Sequence, residues 1–365
     1  MTAYYILFIM IFIASIQEAF KKDKILYAYW KFFILLFLWF IIGGRYEGVD
    51  YYGYVGYFNN APPFKSYFIS FNQFISYFSS YVEFGFLFLM SLSKVLGFEF
   101  HHFLLVFSFF IVFLRYKAIN KSTQFIITAI LIYMGTGFIY DMGQIRNSLS
   151  SVLVLNAVLE YADGKTRKGI FLTVIASLIH MVSIVAFIIP LLIRLEKKLV
   201  VYLFLLSLII AYFLPLGQFL SYIGSNIPIL YIGNKLTGYL ESDKYTEYSA
   251  SLFSLGMIRS YLFVFATTFY YDKIKSQSKY FPFLYNTMIF GYIFSMLTRD
   301  FTIISYRLRS LFGAPEPIVY SMLLGVYKGK GRIFVFAILA LYSILLFFNN
   351  IGVLPQYKNY FLGIL

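Results

Sequence analysis

Arg45, Glu47 and Asp50 lie in a tyrosine-rich stretch, Gly43-Gly44-Arg45-Tyr46-Glu47-Gly48-Val49-Asp50-Tyr51-Tyr52, directly after an apolar run of membrane-spanning length. Further isolated charges recur where other apolar runs begin, end or break: Arg146, His180, Arg299, Arg307 and Arg309. Ionisable groups in or beside hydrocarbon are costly to place, so each is a functional candidate. A guanidinium offers a fork of donors that matches phosphate. A carboxylate or imidazole can take a proton from a hydroxyl. Arginine, tyrosine and a carboxylate collected on one face of a membrane protein are equipped to hold something anionic and sugar-like.

Each candidate also has a plainer reading. Arg45 follows a span, where snorkelling is common, but on the side that arginine avoids. Asp50 is bracketed by Gly48 and Gly53, so a turn or cap role competes with that of a base. Arg146 opens a helix, where arginine opposes the helix dipole and calls for an anion. Asp141 or a bound phosphate would supply it. His180 sits deep in an apolar block, as a hydrogen-bonded core residue or a catalyst. Arg299 is followed by Asp300, a ready ion-pair partner. Arg307 and Arg309, two apart, face different sides of a helix, so one can reach a ligand while the other pairs with an acid, with Glu316 as a candidate. His101 and His102 lack metal-ligand spacing.

The elements that must position these residues follow from composition. The chain of 365 residues is 61% hydrophobic, with apolar blocks of roughly 15 to 25 residues, the length of a membrane helix. An all-α, polytopic membrane protein is expected. The alternating ten-residue strands of an outer-membrane barrel are absent. Residues 1–365 read as a single membrane domain. Neither of the two long polar stretches, 43–83 and 221–250, suffices for a domain of its own. Residues 2–20 lack a basic start and a small-residue cleavage site and read as a retained helix. The net charge of +14 lies in short clusters between apolar blocks, which argues for membrane topology over nucleic-acid binding. With no cysteine, disulfides and thiolate chemistry are excluded.

Six clusters of three Lys or Arg (21–24, 115–121, 165–168, 194–198, 273–279 and 328–332) hold more than half of the 30 basic residues. Basic residues bias short loops to the cytoplasm, so the clusters are placed inside and the Tyr-rich loops 43–83 and 221–250 outside. Candidate spans are 2–20, 25–42, 84–97, 100–115, 123–140, 148–162, 170–192, 200–220, 252–271, 283–298, 302–327 and 333–350. Two segments break the inside–outside alternation. Residues 84–115 hold two apolar blocks where one crossing is needed. Residues 170–192 look like one span but must start and end inside. Broken or re-entrant helices, which are tolerated where they line a cavity, would explain both, and His180 lies in the second. About ten to twelve crossings and an outside C-terminus are expected.

Four motifs in this order resemble the EpsG-like branch of Wzy-type polysaccharide polymerases. They are Arg45, Gly48, Asp50, Tyr51 and Tyr54 after an early span; Ile145-Arg146 opening a middle span; Ala176-Ser177-Leu178-Ile179-His180-Met181-Val182-Ser183; and a late arginine-bearing stretch from Arg307 to Phe312. Asn147 stands where the family has glutamine, and the late motif departs further. The resemblance implies a glycosyltransferase of the bacterial cytoplasmic membrane, with its active face periplasmic or extracellular. It would move a growing chain from undecaprenyl diphosphate onto a hydroxyl of the next undecaprenyl-diphosphate-linked oligosaccharide, for O-antigen, capsule or exopolysaccharide. Asp50, His180 and Arg146 would be catalytic. Arg45, Tyr51, Tyr54, Arg299, Arg307 and Arg309 would bind substrate. No metal or cofactor is implied, and no phosphate-cradling Gly loop is found. Besides the lipid bilayer, a flippase and a chain-length regulator are the implied partners. A flippase or transporter of the same lipid-linked sugar, and a glycan ligase, are the competing readings. Two unequal long loops and the lack of matching halves weigh against the flippase.

Overall fold

The structure is a computed structural model that describes residues 1–20, 23–69, 77, 82–214 and 251–363. The expected loop 221–250 lies outside the described residues. Every regular element among the described residues is helical, and the chain is an all-α polytopic membrane protein. Among the described residues four helices are long and apolar enough to cross a bilayer: α1 (Thr2–Phe20), α2 (Lys24–Gly43), and two later ones, Phe100–Ser122 and Gly329–Ile351.

Local signals set several helix ends. The Asp23 Oδ1 accepts from the Ile25 and Leu26 N–H groups at 2.9 and 3.0 Å, capping α2. Gly44 closes α2, and a short helix α3 (Tyr51–Asn59) follows in the first loop. Next come α4 (Phe84–Val95), α5 (Phe100–Ser122), α6 (Ile126–Thr136), α7 (Phe138–Gly143), α8 (Ile145–Ala162) and α9 (Thr166–Ile179). The remaining helices are α10 (Ile189–Leu192), α11 (Lys197–Phe213), α12 (Leu255–Phe269), α13 (Tyr271–Lys275), α14 (Phe281–Leu297), α15 (Thr302–Gly313), α16 (Glu316–Ser321) and α17 (Gly329–Ile351).

Several expected single spans are divided. Residues 123–140 split at Gly137 into α6 and α7, and 302–327 split at Ala314-Pro315 into α15 and α16. Residues 170–192 break at His180, whose backbone is extended, and continue as a 3₁₀ helix over Met181–Ile188. The other irregular segment, 84–115, becomes the half-length α4 and the full-length α5. At 1.5 Å per residue α4 is about 18 Å long, short of the ~30 Å hydrocarbon core. The two segments that broke the alternation pack on each other, α4 against α9. A side chain at Gly85 would meet the Leu178 carbonyl oxygen at 2.7 Å, so only glycine allows this approach.

The bundle is built around α6 and α8. Almost every residue of both is buried, as expected of helices surrounded on all sides. Helix α6 packs on α1, α16 and α17, and α8 on α5, α9, α14 and α15. The start of α6 is capped in trans. The Glu18 carboxylate, from α1, accepts from the Ile127 and Thr128 N–H groups at 2.9 and 2.8 Å, the Thr128 hydroxyl at 2.8 Å and the Tyr27 hydroxyl at 2.7 Å. Two orphan amides of a helix start are thereby satisfied, and the first hairpin is tied to the central helix.

One charge assignment is corrected. Arg115 does not belong with the basic cluster at the end of α5. It lies about 10 Å back along the helix, buried in a bidentate contact with Asp141, its Nη2 at 2.8 and 2.9 Å from the two carboxylate oxygens. Asp141, already taken, is therefore not the partner of Arg146.

Glu18→Ala would leave two buried amides without acceptors, at about 1–3 kcal/mol each. A fall of several degrees in the melting temperature of the detergent-solubilised protein is expected, with Glu18→Gln falling less. An unchanged melting temperature in Glu18→Ala would show that the cap carries no weight.

Candidate active site

Glu83 ends the first loop immediately before α4, in extended backbone. The Gly85 approach to Leu178 brings it against the break in α9. Its carboxylate accepts from His180 Nδ1 at 3.2 Å and from the Met181 N–H at 3.4 Å. The carboxylate thus takes a backbone donor released where α9 gives way. The same carboxylate forms an ion pair with Arg146, the second residue of α8. A buried carboxylate with both a guanidinium and an imidazole is a satisfied network, and losing one member leaves a buried charge exposed to the full desolvation cost.

The guanidinium of Arg146 lies among the rings of Phe86, Tyr54 and Tyr57, at 5.6, 5.7 and 5.7 Å from their centroids. These rings hold it by cation–π attraction and by packing. The far nitrogen of His180, Nε2, is buried and has no hydrogen-bond partner among the described residues. An imidazole held at Nδ1 by a carboxylate, with Nε2 unpartnered, is the arrangement of an oriented base.

Asp50 stands at the rim, exposed, one residue before α3, and makes no cap hydrogen bond. Although it reaches solvent, the chain packed beside it strips part of its water and raises its carboxyl above the ordinary aspartate range, against the opposing pull of Arg146 and Arg307. Arg307 also acts electrostatically on His180. One turn further along α15, the Ser310 hydroxyl donates to the Arg307 carbonyl at 3.0 Å and accepts from Asn147 Nδ2 at 2.5 Å, which locks α15 to the start of α8. Two arginines, a carboxylate and a carboxylate-held histidine therefore converge where α3, α4, α8, α9 and α15 meet.

The structure divides the expected set. Asp50, Arg146, His180, Arg307 and Tyr54 come together. Of the two late arginines, Arg307 is the one whose charge reaches this group. Arg309 is paired with Glu316 and lies over Tyr292, 3.9 Å from its centroid. Tyr54 is buried with its ring toward Arg146, a support for the guanidinium. Tyr51 is buried in a separate aromatic layer, its hydroxyl 3.3 Å from the His101 ring nitrogens. There His101 stacks on Tyr360 at 3.7 Å between centroids.

Arg45 is 2% exposed and donates to the Ile42 carbonyl. It is strapped down by the C-terminal segment through a bridge to Asn359 and through bonds from Tyr360 N–H to Gly44 and from Tyr46 N–H to Lys358. Lys358 also pairs with Glu47 at 3.1 Å. Arg45 therefore anchors the base of the loop. Arg299 donates to the Ala211 carbonyl at 3.0 Å, tying the end of α14 to α11. It has no contact with the cluster among the described residues.

Sequence reasoning missed Glu83. Its one signal was being the lone acid between Asp50 and Glu99, placed directly before the apolar block 84–97. No group of three or more His, Asp or Glu that could hold a metal occurs among the described residues.

Fold and cluster together define a helical membrane protein with a buried arginine–glutamate–histidine site. The chain belongs to the EpsG family, whose sequence model matches residues 27–362. No curated protein and no solved structure matches it.

Proposed function

We propose that this EpsG family member polymerises oligosaccharide repeat units carried on undecaprenyl diphosphate, at the extracytoplasmic face of the bacterial cytoplasmic membrane. The family's link to polysaccharide polymerisation supports the reaction class. The single observation that carries the reading is the Glu83–His180 pair with an unpartnered Nε2, ion-paired to Arg146 and within the electrostatic reach of Arg307.

In this reading His180 Nε2 removes the proton from an acceptor hydroxyl of the incoming unit. The hydroxyl oxygen bonds to the anomeric carbon of the growing chain. The bond from that carbon to the diphosphate oxygen breaks, and undecaprenyl diphosphate departs with the electron pair. The proton stays on His180, where the Glu83 carboxylate stabilises the imidazolium. The leaving group is an anion, so it needs fixed positive charge more than a general acid. Arg146 and Arg307 supply it. Arg146 is partly neutralised by Glu83 at rest, and a diphosphate would compete for its free donors. Asp50, at the rim beside both arginines, would orient the acceptor hydroxyls.

Purified protein given a synthetic undecaprenyl-diphosphate repeat unit is expected to produce a ladder of products on a gel. Arg146→Ala should slow it about 10²–10³-fold, the cost of one charge-stabilising donor. His180→Ala should slow it about 10²–10⁴-fold, the cost of a general base. A ladder unchanged in both variants would overturn the proposal. Asp50 gives a second test. Its raised carboxyl is charged only above that raised pKa, so the wild-type rate should fall on acidification earlier than an ordinary aspartate would allow. Asp50→Asn should be slower at neutral pH and lack that limb; an identical pH profile would remove Asp50 from the site.

A further inference from the structure

A cavity of about 170 Å³ lies among α6, α8, α12, α15, α16 and α17. Successive residues of α8 separate it from the Glu83 cluster. Arg146 points to the cluster, while Asn147 and Ser148 line the cavity. A turn of about 100° per residue makes that division unavoidable.

The charges around this space do not balance. Asp141 is taken by Arg115 and by the Tyr133 hydroxyl, at 2.8 and 2.7 Å. Glu316 is taken by Arg309 and by the Tyr342 hydroxyl, the latter at 2.7 Å. Both carboxylates are thus occupied. The third cation, Arg259 of α12, has no carboxylate partner among the described residues. Its guanidinium lies over the Tyr342 ring, 5.3 Å from the centroid, and its Nε is buried without an acceptor.

Two more donors are left over. Ser148 is 2% exposed, and its hydroxyl is without a partner among the described residues. Arg115, 9% exposed, keeps an unpartnered Nε. A surplus guanidinium inside a membrane bundle is costly unless an anion neutralises it. One water needs about 10–15 Å³, so the space admits a polyatomic group. A neutral sugar hydroxyl could meet the donors but would leave the Arg259 charge uncompensated, which decides for an oxyanion.

We propose that this cavity is a second oxyanion site, distinct from the Glu83 cluster, that takes a phosphoryl group through Arg259, Arg115 Nε and the Ser148 hydroxyl. The naming of its natural ligand rests on the polymerase reading. A transfer between two diphosphate-linked chains needs two places for diphosphate, one at Arg146 and Arg307 and the other here. Binding of a phosphoryl group does not depend on that reading.

The test uses the full-length protein in detergent micelles and isothermal titration with inorganic pyrophosphate. A parallel titration uses a short-chain prenyl diphosphate. Arg259→Gln should weaken binding at one site by about tenfold or more, the loss of a charge-assisted contact. Ser148→Ala should weaken it by about threefold to tenfold. Both should melt like wild type without ligand. Tighter binding of the prenyl diphosphate, with the same dependence on Arg259, would assign the site to a lipid-linked substrate. Equal binding would assign it to free phosphate, and both results support an oxyanion site. If Arg259→Gln fails to fold, Ser148→Ala decides. No binding to wild type, or binding untouched by the substitutions that fold, overturns the site. A wild type that forms the polymer ladder but binds pyrophosphate independently of Arg259 would sink this site and leave the polymerase reading standing. Binding that needs Arg259 without any ladder would do the reverse.

Discussion

One buried carboxylate governs the arrangement where α4, α8 and α9 meet. Glu83 holds Arg146 by an ion pair and His180 by a hydrogen bond, and it takes a backbone amide as well. Removing any of these partners would leave charge in a place without water, at several kcal/mol. The surrounding irregularities follow from this requirement. Helix α4 is half-length and starts at the site. Helix α9 stops at His180 and hands an amide to the carboxylate. Gly85 lets the two helices approach closely enough for Glu83 to span the gap.

The same rule recurs through the molecule. Charges and amides that leave water are met by several partners at once. Glu18 caps α6 from another helix. Asn286 Nδ2 reaches the carbonyls of Leu192, Ile193 and Leu195 where α10 ends, at 3.2, 3.3 and 2.9 Å. At the opposite end of α5, Asp163 receives Lys121 and Lys279 at 2.7 and 2.8 Å, and these contacts, that of Lys121 foremost, hold its carboxyl well below the ordinary range. Arg45 also lacks an acid among the described residues, but the C-terminal strap closes over it, whereas the Arg259 guanidinium, equally without an acid, lines a cavity and is therefore informative. Helix α8, surrounded on all sides, sends Arg146 to the Glu83 cluster and Asn147 and Ser148 to the cavity.

Much of this was readable in the chain. Apolar blocks of spanning length and basic clusters sufficed for the fold class, and the isolated residues Asp50, Arg146 and His180 named three members of the candidate cluster. The failed alternation at 84–115 and 170–192 marked the two segments that build it. What was not readable depends on pairing across long stretches of sequence. Glu83 meets residues 63 and 97 positions away, and no local motif announces such a contact. Arg45 looked like a ligand group because its side of the membrane was unusual, but a C-terminal strap, invisible in the local sequence, covers it. Arg309 and Arg307 differ only in facing, which the break at Ala314-Pro315 and the position of Glu316 decide.

The most direct measurement is a double-mutant cycle on the rate of polymer formation, with Glu83→Gln, His180→Ala and the pair, each shown to be inserted and folded. If Glu83 acts through His180, its substitution should slow the wild type about 10²-fold or more and should cost clearly less once the imidazole is gone, the remainder being the loss of its ion pair with Arg146, which is the same in both backgrounds. Effects that multiply in full would mean that the two residues act independently, and the oriented-base arrangement at the centre of this protein would be wrong.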